Sequence, residues 1–494
     1  MDKLSLDNLQ NLKPCVARPS YARGDLSPGI VHIGVGNFHR AHQAVYLDRL
    51  FEMGKGRDWA LVGAGVRTAD GAMRERLLGQ DLLTTVVELA PEGHRARVTG
   101  AMVDFVPIAA DNGPLIAAMA RPSTRIVSLT VTEGGYYLDQ HGAFDTAHPD
   151  MLRDARQPDA PGSAFGAILK ALRLRRAAGL PPFTVMSCDN LPGNGHVAQG
   201  TVTGLAALSD QAFAEWVAAN VAFPNGMVDR ITPATGQREI DLVAREFGVD
   251  DAAPVLCEPF MQWVLEDNFP QGRPPLEDAG VTFTDQVHAF EAMKIRILNG
   301  GHAIIAYPAG LLGIEFAHEA MRDEQVAAFL HKVEVEEILP HVKPVPGTSL
   351  VDYLASIEER FANPDIGDRI RRLCLDGSNR QPKFIMPSVR DNLAAGQVPK
   401  GLALLSALWC RYCAGVDDQG QRIAPNDPDW TALNARALAA KHDPAQWLAM
   451  RDVYGAWGQD TGFVAAFAQA LSALWSDGTR AVLARYLEGG ASGA

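Results

Sequence analysis

From about residue 28 the chain alternates short β-rich runs with turns and helix-period segments, and no other feature restricts its fold as strongly. The runs are "GIVHIGV", "WALVGAGV", "LLTTVVEL", "RIVSLTV" and "FTVMSC", some of them separated by helix-like segments such as "HRAHQAVYLDRLFEMG" and "AFGAILKALRLRRAAG". Strands that alternate with helices build a largely parallel sheet covered by those helices. The run "RARVTGAMVDFV" is expected to add a hairpin or an antiparallel edge. Beyond about residue 285 the strand signals fade into helical runs: "QVAAFLHKVEVEEIL", "IGDRIRRLCL", "PKGLALLSALWCRYCAG" and "GFVAAFAQALSALW". A chain of 494 residues is too long for one ordinary core. The expectation is an α/β Rossmann-like N-terminal domain over residues 1–285 and a mainly α-helical C-terminal domain over residues 286–494. The tail "EGGASGA" is expected to fray.

Composition narrows the partners. With 58 acidic against 45 basic residues, a formal charge of -13 and no block of consecutive basic residues, nucleic acid and anionic membranes are poor partners. The N-terminus lacks the basic, apolar and small-residue segments of a signal peptide, and the longest apolar runs fall short of a membrane span. A cytoplasmic protein is expected. Of the six cysteines only "CRYC" is closely spaced; without a second ligand pair nearby it reads as part of a buried helix, with no metal implied.

Candidate chemistry begins at "GIVHIGVGNFHRAHQ", where Gly34 and Gly36 take the first two positions of a dinucleotide-binding turn between a strand and a helix. His39 stands where the third glycine would be, and a tight structural turn is the competing account. After the second strand, Asp70 is the acid able to accept hydrogen bonds from an adenosine ribose, which favours NAD; Arg67 would tolerate the extra phosphate of NADP. Two later strands also end in polar residues, "SLTVTEGG" with Thr130, Val131, Thr132 and Glu133, and "SCDNLPGNG" with Asp189 and Asn190. Both tails would point to the crevice of the glycine turn, although for either alone ordinary turn chemistry is the favoured account. In "FPNGMVDRITP" the doublet Asp229–Arg230 reads as a local ion pair.

The stretch "EAMKIRILNGGHAIIAYPAG" is apolar around most of a helical wheel, yet Glu291, Lys294, Asn299 and His302 fall within an arc of about 140°. A lysine on a buried face loses hydration, and a fall of roughly three units from its usual pKa of about 10.4 would bring its titration near neutral pH, ready to accept a proton. A buried salt bridge to Glu291 or a side chain snorkelling to solvent are the structural alternatives. Gly300 and Gly301 would let a ligand or a neighbouring backbone come close. Such a set suits a nicotinamide oxidoreductase, in which lysine removes the hydroxyl proton and asparagine amides stabilise the oxyanion. None of the nine tyrosines is followed four residues later by lysine, so the Tyr-x-x-x-Lys base is absent.

Seven segments in order, "GVGNFHRAHQAVYLDRL", "SLTVTEGGYY", "MSCDNLPGNG", "VAFPNGMVDRITP", "CEPFMQWVLED", "EAMKIRILNGGH" and "DGSNRQPKF", resemble the motifs of the polyol-specific long-chain dehydrogenases. The resemblance implies a zinc-independent, commonly monomeric enzyme with its active site between the two domains, interconverting a sugar alcohol and its ketose, D-mannitol and D-fructose foremost, with NAD. By that likeness Lys294 is the general base, Asn190 and Asn299 hold the oxyanion, and His302 and Arg372 hold substrate hydroxyls. Asp229 would support substrate and lysine, and Glu291 would relay protons to solvent. Gly34, Gly36, Asn37, Phe38 and Thr130 to Glu133 would line the cofactor, with Ser378, Arg380 and Lys383 nearby. Close relatives are expected to carry two adjacent acids where this chain has Ala69 and Asp70, which keeps NADP open. A hexuronate reductase acting on fructuronate or tagaturonate, a sorbitol or arabinitol dehydrogenase, and a nucleotide-binding sensor without turnover are the alternatives.

Overall fold

The computed structural model describes residues 2–139 and 142–489, divided into two units at residues 1–288 and 289–494. Most of the "EGGASGA" tail lies outside the described residues.

In the first unit, strands β1 (Pro28–Ile33), β2 (Ala60–Ala64), β3 (Met102–Phe105), β4 (Ile126–Leu129) and β5 (Thr184–Ser187) form an all-parallel sheet in the order β3-β2-β1-β4-β5. This is the 3-2-1-4-5 order of a Rossmann sheet, whose switch point lies between β1 and β4. Side chains alternate across it. Val31, Ile33, Val62, Val127, Leu129 and Val185 face one buried cluster with Ile168 and Leu172 of the helix Ala164–Ala177. Ile30, Leu61, Ile126 and Met186 face another, with Leu47, Leu50 and Phe51. Burial on both faces is why these strands are apolar runs with little polar alternation.

Two expected strands leave this sheet. Thr84–Glu88, from "LLTTVVEL", pairs antiparallel with Arg95–Thr99 in a separate four-stranded sheet flanked by Val255–Cys257 and Val16–Ala17. The run "RARVTGAMVDFV" is therefore no hairpin: Arg95–Thr99 joins the second sheet, while β3 pairs with β2 in the first. A three-stranded sheet of Gly226–Asp229, Gln262–Leu265 and Thr282–Phe283 and a two-stranded one of Asp2–Lys3 and Val249–Asp250 are also part of the unit. The segment after β1 is also not one helix, since it breaks at His42 into α1 (Asn37–Ala41) and α2 (Gln43–Glu52).

The second unit is helical, with only isolated β-bridges among the described residues. The stretch opening at Glu291 is three helical pieces: α3 (Val287–Met293), a π-helical turn over Lys294–Asn299, and α4 (Gly300–Leu311). A second π-turn, Glu334–Ile338, follows α5 (Glu324–Val333) and packs against the first. A π-turn closes i→i+5 bonds and winds wider than 3.6 residues per turn, so the single wheel drawn across residues 291–302 does not hold. "IGDRIRRLCL" yields only the four-residue helix Ile370–Leu373. The "CRYC" run forms the buried helix Lys400–Cys413, and "GFVAAFAQALSALW" lies within Thr461–Glu488, which kinks at Gly478. Among the described residues, no helix is long and apolar enough to cross a membrane.

Candidate active site

The C-terminal ends of β1, β4 and β5 meet at one edge, where three loops are tied together. Gly34 closes β1 at φ +98°, and a Cβ there would run into the Thr130 carbonyl oxygen. The Thr130 hydroxyl donates to the Gly34 carbonyl at 2.6 Å. Gly36 is different: a Cβ added to it meets nothing within 4 Å. One glycine permits packing, and the other leaves open space at the loop, as a backbone that must approach a pyrophosphate requires. His39 replaces the third glycine by stacking on His32, ring centroids 3.4 Å apart, both rings buried. His32 contacts the Ser128 and Thr130 hydroxyls at 2.8 and 2.9 Å, and burial pushes it down to about 3. Burial first, then the charges of His32 and Arg40, hold His39 well below the usual imidazole range. The stack is neutral and packs the loop onto the sheet.

Other expected cofactor residues are partly committed to the protein. The Asn37 amide donates to the Pro233 carbonyl and the Thr235 hydroxyl and accepts from Arg40, and Phe38 stacks on His42 at 4.7 Å. Asp70 folds over Gly65 and accepts from the backbone N–H groups of Val66 and Arg67, both at 3.0 Å. Its other oxygen faces the Arg67 guanidinium at 3.6 Å. Val131 and Thr132 donate their N–H groups to Asp189, which also accepts from the Tyr136 hydroxyl at 2.7 Å. These bonds hold Thr132 at φ +65°, a strained value for a β-branched residue. Glu133 is exposed in the short turn that follows.

Asp189 acts as the anchor of the Thr130–Thr132 loop, a role that its position at a strand end signalled only as a polar residue. The sequence reading also missed Asn194. Fully buried, it donates to the carbonyls of Asp189 and Gly226 and accepts from Gly226 N–H, fixing the turn that carries exposed Asn190 beside the strand that ends in Asp229. Asp229 is 4% exposed. The guanidinium of Arg230 turns away from a local pair: it reaches Glu88 at 2.8 Å and the carbonyls of Ala41 and Glu258.

Glu291 lies in the last turn of α3, Lys294 opens the π-turn, Asn299 closes it and His302 lies in the first turn of α4. Lys294 and Glu291 are 6% and 7% exposed, so the lysine does not snorkel to open solvent. The His302 ring stacks on Phe361 at 4.3 Å, and its Nε2 is shut from solvent with no partner. Burial and then the charges of Arg372, Arg360 and Arg380 hold it well below the usual imidazole range, so it is neutral. The structure thus brings Arg372 and Arg380 into the field of His302. Arg372 is itself exposed and bound to Asp368 at 2.7 Å, while Arg380 donates to the Leu373 carbonyl. Ser378 is not offered to a ligand: its N–H and hydroxyl both bind Asp427.

A glycine turn at the switch point of a 3-2-1-4-5 sheet, joined to a helical unit with a buried lysine, defines a Rossmann-type protein with an added helical domain. Residues 28–278 match the mannitol dehydrogenase Rossmann domain and residues 286–475 the mannitol dehydrogenase C-terminal domain. The chain belongs to the mannitol dehydrogenase family. It is 67% identical over 472 residues to a mannitol 2-dehydrogenase of Cereibacter sphaeroides, covering 96% of this chain and 99% of that one. A mannitol 2-dehydrogenase of Phaeosphaeria nodorum is 41% identical, covering 98% of this chain and 85% of the relative. Among solved structures, a Pseudomonas fluorescens mannitol 2-dehydrogenase in ternary complex with NAD and D-mannitol has a TM-score of 0.87 and 42% identity, covering 99% of this chain and all of that one. A substrate-free D-sorbitol dehydrogenase has a TM-score of 0.90 and 34% identity, covering 97% and 100% of the two chains.

Proposed function

We propose that this protein is an NAD-dependent mannitol 2-dehydrogenase, converting D-mannitol to D-fructose and back. The observation that carries the reading is the 67% identity, across almost the whole of both chains, to a mannitol 2-dehydrogenase. The 42% identity to a relative solved with NAD and D-mannitol supports the cofactor and the substrate together. The open space at Gly36 and the three joined loops suit a dinucleotide.

When bound, NAD supplies the hydride acceptor. Lys294 is the general base: its burial penalises the ammonium form, and the neutral amine takes the C2 hydroxyl proton as the C2–H bond breaks. The Asn190 and Asn299 amides donate to the oxygen on which negative charge collects. Neutral His302, with its unpartnered Nε2, binds a substrate hydroxyl, and Arg372, whose charge acts on His302, holds another. Asp229 steadies lysine and substrate, and Glu291 passes the proton toward solvent. The balance is mannitol plus NAD⁺ giving fructose, NADH and one proton. The acidic chain without a basic block supports a cytoplasmic protein acting on small molecules, and the family resemblance supports a monomer.

One observation favours a second reading, a hexuronate substrate: three arginines lie in the field of His302. Against it, Arg372 already has Asp368 as counter-charge. The test is a spectrophotometric screen of NAD and NADP with mannitol, sorbitol, arabinitol and fructuronate, with Lys294→Ala alongside. Mannitol with NAD is expected to give the highest kcat/KM, and Lys294→Ala to lose roughly 10²–10⁴-fold in kcat with the fold intact. Reduction of fructuronate with every polyol inactive would replace this reading with the second; an active Lys294→Ala would remove lysine as the base.

A further inference from the structure

Glu334 opens the second π-turn, is fully buried, and neither of its carboxylate oxygens has a hydrogen-bond partner. Among the described residues no cation pairs with it, and its electrostatic neighbour is another acid, Glu358. A buried acid in such surroundings is neutral, and a fully unpartnered one is costly enough that stability alone gives no reason to keep it. Its location is specific. A Cβ placed on Gly301 would lie 3.3 Å from Glu334 Oε1, 3.3 Å from Phe361 Cε2 and 3.4 Å from Leu330 Cδ1. Gly301 sits between Asn299 and His302, and Phe361 carries the His302 ring. The flat carboxyl group therefore fills the space under the turn that bears both side chains, where a branched side chain would press on Gly301.

We propose that Glu334 is a positioning residue of the dehydrogenase reaction: as a neutral, planar carboxylic acid it props the Gly300–Gly301 turn and so sets the aim of Asn299 and His302. The proposal rests on the roles given above to those two residues and Lys294. Its test compares Glu334→Gln, Glu334→Ala, Gly301→Ala and the double variant Gly301→Ala/Glu334→Ala, each assayed for kcat, KM for NAD, KM for mannitol and Tm. Glu334→Gln keeps a neutral planar group and is expected to stay within about twofold of the parent in kcat. Glu334→Ala leaves a gap, and kcat is expected to fall at least tenfold while KM for NAD stays within twofold. Because the added methyl of Gly301→Ala points at Glu334, the double variant is expected to recover at least threefold in kcat over Glu334→Ala.

Retention of kcat in Glu334→Ala would overturn the proposal. So would a loss in Glu334→Gln as large as in Glu334→Ala, strictly additive losses in the double variant, or a fall in kcat matched by a collapse in Tm and in NAD affinity. Lys294→Ala, run in parallel, separates the two failures: its activity tests the base assignment and is independent of how the Glu334 series behaves.

Discussion

Two glycines two residues apart do opposite work. Gly34 has a positive φ and no room for a side chain beside Thr130; Gly36 has neither restriction. Gly34→Ala is expected to destabilise the fold by about 1–3 kcal/mol from backbone strain alone, and more from the clash, so its Tm falls. Gly36→Ala is expected to leave Tm within about 1 °C while raising KM for NAD at least tenfold, since the methyl enters the space a pyrophosphate would use. A Gly36→Ala protein with unchanged NAD affinity would remove Gly36 from the cofactor site. Gly34 and Gly36 were legible from spacing because turn chemistry is local. The use made of His39 was not, since its stacking partner His32 is buried in the preceding strand and nothing in the spacing announces a ring stack.

At the scale of elements, the π-turns decide where the polar side chains of the second unit point. Hydrophobic periodicity marks Glu291 to Gly310 as helical, but a change of hydrogen-bond register within a helix leaves the sequence pattern nearly intact, so the turn is invisible to it. The second π-turn also carries a pH-sensitive joint. Glu337 accepts from the N–H groups of Gly401 and Leu402 at 2.6 and 2.8 Å, at the start of the helix Lys400–Cys413. Burial pushes it up to about 7 from 4.5, against the pull of those hydrogen bonds. With the folded pKa above the unfolded one, its stabilising contribution is fully present below about pH 4.5 and is lost as pH rises through 7. The change between pH 5 and 8 is on the order of 2 kcal/mol. Denaturant titrations at the two pH values should show Glu337→Gln with a smaller loss of stability than the parent. Equal losses would mean that Glu337 is ionised in the folded protein.

At the scale of the whole molecule, the proposed lysine base calls for no metal. Among the described residues no group of three or more His, Cys, Asp or Glu is placed to hold an ion. Prolonged dialysis against EDTA is expected to leave mannitol oxidation within about a tenth of its starting rate. Loss of activity restored by zinc would contradict the lysine mechanism at its root.

The sequence alone determined the parallel sheet, the helical second half, the glycine turn and the family, because these depend on local period, turn residues and ordered motifs. Only the tertiary structure decided that Thr84–Glu88 joins a second sheet, since the pairing of a strand depends on partners far along the chain. It also decided what charged side chains do: Asp70 folds onto its own loop, Arg372 binds Asp368, Arg230 crosses to Glu88, and Glu334 comes to rest under Gly301. Side-chain chemistry proposes such roles; the space and partners that packing leaves settle which of them each residue takes.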